Sequence, residues 1–145
     1  PDMTNNDSVK INGRGHIMYC AITTIAESPV RAGIIWAGTD DGHVYVTTNH
    51  GKSWKEVTDK LVQLGAPADI WVSRITASPH DAGTAYVAKS GFRNDDFNPY
   101  VFKTTDFGET WTDIASNLPN QHVNDIIEDK TKEKDSRLNS SITIA

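Results

Sequence analysis

The sequence predicts an all-β fold, namely a β-propeller segment of two four-stranded antiparallel blades plus the start of a third. Three observations carry this. An eight-residue turn occurs twice, as Thr47-Thr48-Asn49-His50-Gly51-Lys52-Ser53-Trp54 and as Thr104-Thr105-Asp106-Phe107-Gly108-Glu109-Thr110-Trp111. Each copy lies between two strand-like runs, so each reads as a hairpin tip. The surrounding pattern repeats about every 50 residues with four short strands per repeat, the signature of a propeller blade.

Residues 1–17 are polar and turn-rich and read as a connection from a preceding blade. The first blade is expected over residues 18–61. Its inner strand runs through Tyr19 to Ala26, rich in Ile, Thr and Ala with no breaker. Ser28-Pro29 punctuates it, and a second strand follows from Gly33 to Thr39. Asp41-Gly42 is a strong hairpin signal, after which His43 to Thr48 forms the third strand and Ser53 to Thr58 the fourth. The second blade is expected over residues 62–118. Adding 50 maps Ile22 to Val72, Ile25 to Ile75 and Trp36 to Tyr86. Adding 57 maps Tyr45 to Phe102, Gly51 to Gly108 and Trp54 to Trp111. The change of offset places a seven-residue insertion within residues 89–99. A third copy begins in residues 119–145, where Val72 and Ile75 map to Val123 and Ile126. A mixed charge run from Lys130 then reads as a solvated tail, and Ile142-Thr143-Ile144 has no place in the repeat.

The residue types of the turn have physical reasons. Asn49 and Asp106 are expected to bond backbone amides two residues on. Gly51 and Gly108 supply a positive φ. Thr47, Ser53, Thr104 and Thr110 add hydroxyls, and Trp54 and Trp111 begin the returning strand with an indole that packs between blades.

The doubled turn resembles the Asp-box, or bacterial neuraminidase repeat, of sialidases, sortilin-type propellers and several glycoside hydrolases. Ile35-Trp36-Ala37-Gly38-Thr39-Asp40-Asp41-Gly42, Ser78-Pro79-His80-Asp81 and Asp95-Asp96-Phe97 extend the similarity to bacterial sortilin-like, glycosyl-hydrolase-like proteins across residues 18–129. Asn49 departs from the usual Asp. The resemblance implies a structural role for the boxes and an extracytoplasmic or secreted location. It also implies two functions to weigh. One is a non-catalytic scaffold for a carbohydrate or protein ligand. The other is part of an extracellular glycoside hydrolase whose catalytic carboxylates lie mostly outside this chain.

Composition narrows the classes. Lys plus Arg number 14 against 19 Asp plus Glu, a net charge of −5, which argues against a nucleic-acid partner. No apolar run approaches the roughly 20 residues of a membrane span. Cys20 is the only cysteine, which leaves no internal disulfide, and its expected place is a buried strand. His16, His43, His50, His80 and His122 are far apart and follow no metal-ligand spacing, so neither a metal nor another cofactor is expected. The arginines are scattered and form no sialidase cluster, and no catalytic residue is assigned.

Asp41 and Asp96 are the best carboxylate pair for glycoside hydrolysis, although Asp before Gly is ordinary turn chemistry. The residues expected to touch a ligand are Asp41, Phe92, Arg93, Asp95, Asp96, Phe97 and Tyr100, mostly in the insertion, since loops on a rigid scaffold carry function. Apolar faces and strand edges left without neighbours favour self-association, or coverage by the remaining blades of a longer chain.

Overall fold

The computed structural model describes residues 21–130 and 142–144. The connection at residues 1–17, the start of the first inner strand, Cys20 and most of the charged tail lie outside the described residues. β1 (Ile22–Glu27), β2 (Ile35–Thr39), β3 (Val44–Thr47) and β4 (Lys55–Glu56) form one antiparallel meander. β5 (Trp71–Ala77), β6 (Ala85–Ser90), β7 (Tyr100–Thr104) and β8 (Thr112–Asp113) form the second. These are two four-stranded blades, and β9 (Ile126–Glu128) starts a third. β10 (Ile142–Ile144), the run without a place in the repeat, pairs antiparallel with β9. One short α-helix, α1 (Thr58–Gln63), follows β4. At the matching place after β8 there is a turn, with Leu118 N–H donating to the Ala115 carbonyl.

The two inner strands share an irregularity. The register shifts between Ile22 and Thr24 in β1, and between Val72 and Arg74 in β5. The extra residue in each strand is hydroxylated, Thr23 and Ser73, and its hydroxyl reaches the next blade. Thr23 Oγ1 donates to the Val72 carbonyl at 2.8 Å, and Ser73 Oγ donates to the Val123 carbonyl at 2.9 Å. A bulge of this kind re-aims a side chain, and here it ties consecutive blades at the same point.

Between the blades lies the main core, with Trp36, Val44, Val46, Val57 and Leu61 from the first blade against Val72, Ile75, Val87, Phe102 and Trp111 from the second. Trp36 and Trp111 meet edge to face at 5.9 Å, a favoured arrangement of two aromatic quadrupoles. Gly38 permits a close approach of the two blades, for a Cβ there would stand 2.4 Å from Val72 Cγ1. At the rim, Glu109 is gripped by Lys55 and Lys60 of the first blade. A second cluster of Tyr86, Ala88, Val101 and Ala115 packs under Val123 and Ile126.

The repeated turns are the same object twice. Thr47 Oγ1 donates to Asn49 Oδ1 and accepts from Gly51 N–H, at 2.9 and 3.0 Å. Thr104, Asp106 and Gly108 reproduce both bonds at the same distances. The Asx oxygen reaches four residues on, rather than two, and accepts from Ser53 N–H at 2.9 Å and from Thr110 N–H at 2.8 Å. The residue before each glycine is also left-handed, at φ 60 for His50 and 58 for Phe107. That double reversal turns the chain tightly enough for the Asx side chain to span it. Trp111 Nε1–H donates to the Gly108 carbonyl at 3.2 Å. The outer strands are consequently only two residues long, because the turn occupies Ser53 and Thr110 before pairing begins.

Asn49 and Asp106 differ in charge but not in geometry, which fixes a pH effect. The Thr110 hydroxyl, followed by the Thr110 N–H, holds the Asp106 carboxyl below its ordinary value. A lowered folded pKa adds stability above the unfolded value near 4, lost as pH falls through the folded one. Asp106→Asn is therefore expected to keep the native spectrum and to flatten the acid limb of a pH–melting curve. An unchanged acid limb in that variant would show that this carboxylate contributes nothing.

Candidate functional site

The insertion forms a fixed loop beyond β6. Gly91 is followed by a 3-10 turn at Phe92–Asn94, with Asn94 N–H donating to the Gly91 carbonyl at 2.7 Å. Asp95 ends that turn in the left-handed region at φ 59, a conformation Asp adopts more readily than most residues. Asp96 then folds back. Its carboxylate accepts from Asn98 N–H at 3.0 Å, from Asn98 Nδ2 at 2.7 Å and from Tyr100 Oη at 2.7 Å. The Asn98 N–H, followed by the Tyr100 hydroxyl, lowers the Asp96 pKa. Burial, followed by the bond to Asp96, raises that of Tyr100. Asp96, expected from the sequence to touch a ligand, is the loop's internal brace.

The aromatic side chains stand outside that brace. Phe92 and Phe97 are exposed and meet edge to face at 6.0 Å. Phe92 also lies 5.0 Å from the His122 ring. The Arg93 guanidinium sits 4.8 Å above the Trp71 ring, within the range of a cation–π contact. The surface thus joins the β6–β7 loop to the first residue of β5 and to the approach to β9. From sequence, His122 was read only as one of five scattered histidines with no metal-ligand spacing. The repeat itself could have found it, because adding 51 to Trp71 reaches His122.

Asp41 belongs to another neighbourhood. Thr39 Oγ1 donates to Asp41 Oδ1 at 2.5 Å, and His43 Nε2 is 3.7 Å from Asp41 Oδ2. His43 Nδ1 is 2.5 Å from Glu56 Oε1, and this contact is the foremost cause of a lowered Glu56 pKa. Asp41 lines a cavity of about 360 Å³ on the first blade with Ile22, Ile25, Tyr45 and Trp54. Its neighbour Asp40 is buried, and its carboxylate accepts from Ala21 N–H at 2.9 Å, closing the base of β1. Asp41 and Asp96 are thus each committed to hydrogen bonds of their own blade. Among the described residues, no group of three or more His, Cys, Asp or Glu side chains could hold a metal ion.

Lys89 was not singled out from sequence. It is fully buried at the place Thr39 takes in the first blade, and its Nζ donates to the Pro67 carbonyl at 2.7 Å. Burial lowers its pKa to about 8. The ammonium holds the link between the blades from beneath.

Comparison with solved structures agrees with this architecture. YCF48 from Cyanidioschyzon merolae superposes with a TM-score of 0.51 at 16% identity, covering 78% of this chain and 30% of its own. YCF48 bound to D1 peptide gives 0.51 at 14%, covering 75% and 31%. The Niastella koreensis GH74 enzyme gives 0.58 at 13%, covering 85% and 19%. All are β-propellers, and this chain is a propeller segment. It spans less than a third of the length of each of these structures. No protein-family model matches the chain, and no curated protein sequence does. No helix among the described residues is long and apolar enough to cross a membrane.

Proposed function

We propose that this chain is a non-catalytic segment of an Asp-box β-propeller of the sortilin-like type, working outside the cytoplasm as a scaffold for a protein ligand. The observation that carries the reading is the pair of exposed rings Phe92 and Phe97, beside Arg93 on the loop that breaks the repeat, with half-buried His122 against Phe92 from the approach to β9. Sugars stack on flat aromatic faces, but Phe92 and Phe97 stand 81° apart and the Trp71 face is taken by Arg93. Asp96, Asn98 and Tyr100, which could have gripped sugar hydroxyls, bond one another. Apolar edges with a nearby guanidinium suit a peptide carrying apolar and acidic side chains. The peptide complex of a fold neighbour supports this choice. Asp41 and Asp96 are each bonded within their own blade, so the hydrolase reading would need acid and base from elsewhere.

Backbone amide shifts of the labelled chain, titrated with short apolar–acidic peptides and with cello-oligosaccharides, test the proposal. The peptides are expected to move residues 91–100 and 122, and the sugars to leave them unmoved. Replacing residues 91–98 by Asp-Gly should keep cooperative unfolding and remove the peptide shifts. Release of reducing sugar, or sugar-induced shifts around Asp41, would overturn the reading.

A further inference from the structure

The second blade has a tryptophan where the first has alanine. Trp71, the first residue of β5, corresponds by the repeat offsets to Ala21, and to His122 at the approach to β9. The indole and the insertion thus occur in the same blade, and the backbone brings them together. Trp71 pairs with Ser90, the last residue of β6. Gly91 follows, and the 3-10 turn Phe92–Asn94 doubles the chain back, so that the Arg93 guanidinium lies 4.8 Å above the Trp71 ring. Gly91 makes room for the returning loop, since a Cβ there would stand 2.7 Å from Asp96 Cβ.

That contact uses the face of the indole and leaves its polar edge unmet. An indole N–H can only donate, and among the described residues the buried Trp71 Nε1 has no acceptor. A buried donor without a partner is costly and calls for an explanation. Trp36 Nε1 also lacks an acceptor, but its ring is fully buried in the core between the blades, out of a ligand's reach. Trp71 is only half-buried and lies against the candidate site. The loop does not supply the acceptor from Asp96, whose carboxylate is taken by Asn98 and Tyr100.

We propose that Trp71 and Arg93 together hold a side-chain carboxylate of the peptide ligand, the indole N–H donating to one oxygen and the guanidinium to the other. This rests on the reading of the loop as a peptide site, and it names the residue that selects the peptide's acidic side chain. A planar guanidinium both stacks on an aromatic face and pairs with a carboxylate through its edge, so Trp71 presents Arg93 as well as donating beside it. Nε1 is buried in the free chain, and binding therefore includes a shift of the guanidinium along the ring. A carboxylate gains more from the two donors than a neutral amide does, because hydrogen bonds to an ionised acceptor are the stronger ones.

The side-chain indole resonances of the labelled full chain test this without any substitution. Three N-acetylated peptides serve as probes: Leu-Glu-Phe amide, Leu-Gln-Phe amide, and Leu-Gln-Phe with a free C-terminus. The Glu peptide is expected to bind about 10-fold tighter than its amidated Gln counterpart, the ratio one charge-assisted hydrogen bond supplies. It is also expected to move the Trp71 indole N–H downfield while that of Trp36 stays in place. Trp71→Phe keeps a ring under Arg93 without the N–H, and is expected to retain cooperative unfolding and lose the preference for Glu. Equal affinity for the two amidated peptides, or an unmoved Trp71 indole N–H at saturation, would overturn the inference while leaving the peptide site standing. Tightest binding by the peptide with the free C-terminus would overturn the assignment to a side chain. Binding of none of the three would overturn the reading of the site along with the inference.

Discussion

Trp111→Ala is expected to lower the stability of the chain by about 3–5 kcal/mol, the usual cost of emptying a buried Trp site. Trp54→Ala, at the same position of the repeat, is expected to cost about 1 kcal/mol or less, closer to a surface change. The residues are equivalent in sequence and in turn geometry; the difference lies in their neighbours. Trp111 is 8% exposed, packs on Trp36 and donates its indole N–H to Gly108. Trp54 looks onto the open face of the first blade. Urea unfolding of both variants checks the pair. Equal losses would mean that Trp54 is covered in solution.

Gly38→Ala is the second large effect. A Cβ at that position would meet Val72 Cγ1 at 2.4 Å, Val72 Cβ at 2.8 Å and Thr24 Cγ2 at 2.9 Å. The Val72 atoms cannot yield without parting the blades, and overpacking of this kind costs about 1–3 kcal/mol. Val72→Ala alone is expected to destabilise by removing buried methyl groups. The double variant is expected to recover part of the loss, because the methyl removed is the one struck. Contacting residues couple in this way, by about 0.5–3 kcal/mol. Strictly additive losses, measured by chemical unfolding, would show that β2 and β5 do not approach at this point.

The blades were legible because their turns carry a local code. A hydroxyl, an Asx, a glycine and a second hydroxyl at fixed spacing can close only one kind of tip, and two copies in register reveal the repeat. The strand ends were less legible. Ser53 and Thr110 read as strand, yet the Asx side chains of Asn49 and Asp106 hold their N–H groups within the turn. The run that forms β10 stood out in the sequence but its place did not, because that place is set by pairing with β9, a contact that no local pattern announces.

The site divides in the same way. Phe92, Arg93, Phe97 and Tyr100 stood out because they interrupt a repeat. Whether Asp96 faces a ligand or its own loop depended on Asn98 and Tyr100 folding back over it. Asp41 was grouped with Asp96 because both occupy the same kind of turn, whereas their hydrogen-bond partners lie on separate blades. Lys89 resembles a polar slip in an apolar strand until Pro67 offers its carbonyl. Its burial then follows from the link it supports.

The most direct measurement is a proton nuclear Overhauser experiment on the full chain, read between the Trp36 and Trp111 indoles. Two blades stacked in this register place those rings edge to face at 5.9 Å. Cross-peaks between the two ring systems are expected, together with upfield shifts of the protons directed at the opposing ring face. Absence of both, in a chain whose strand amides still resist exchange, would contradict the stacking of the two blades.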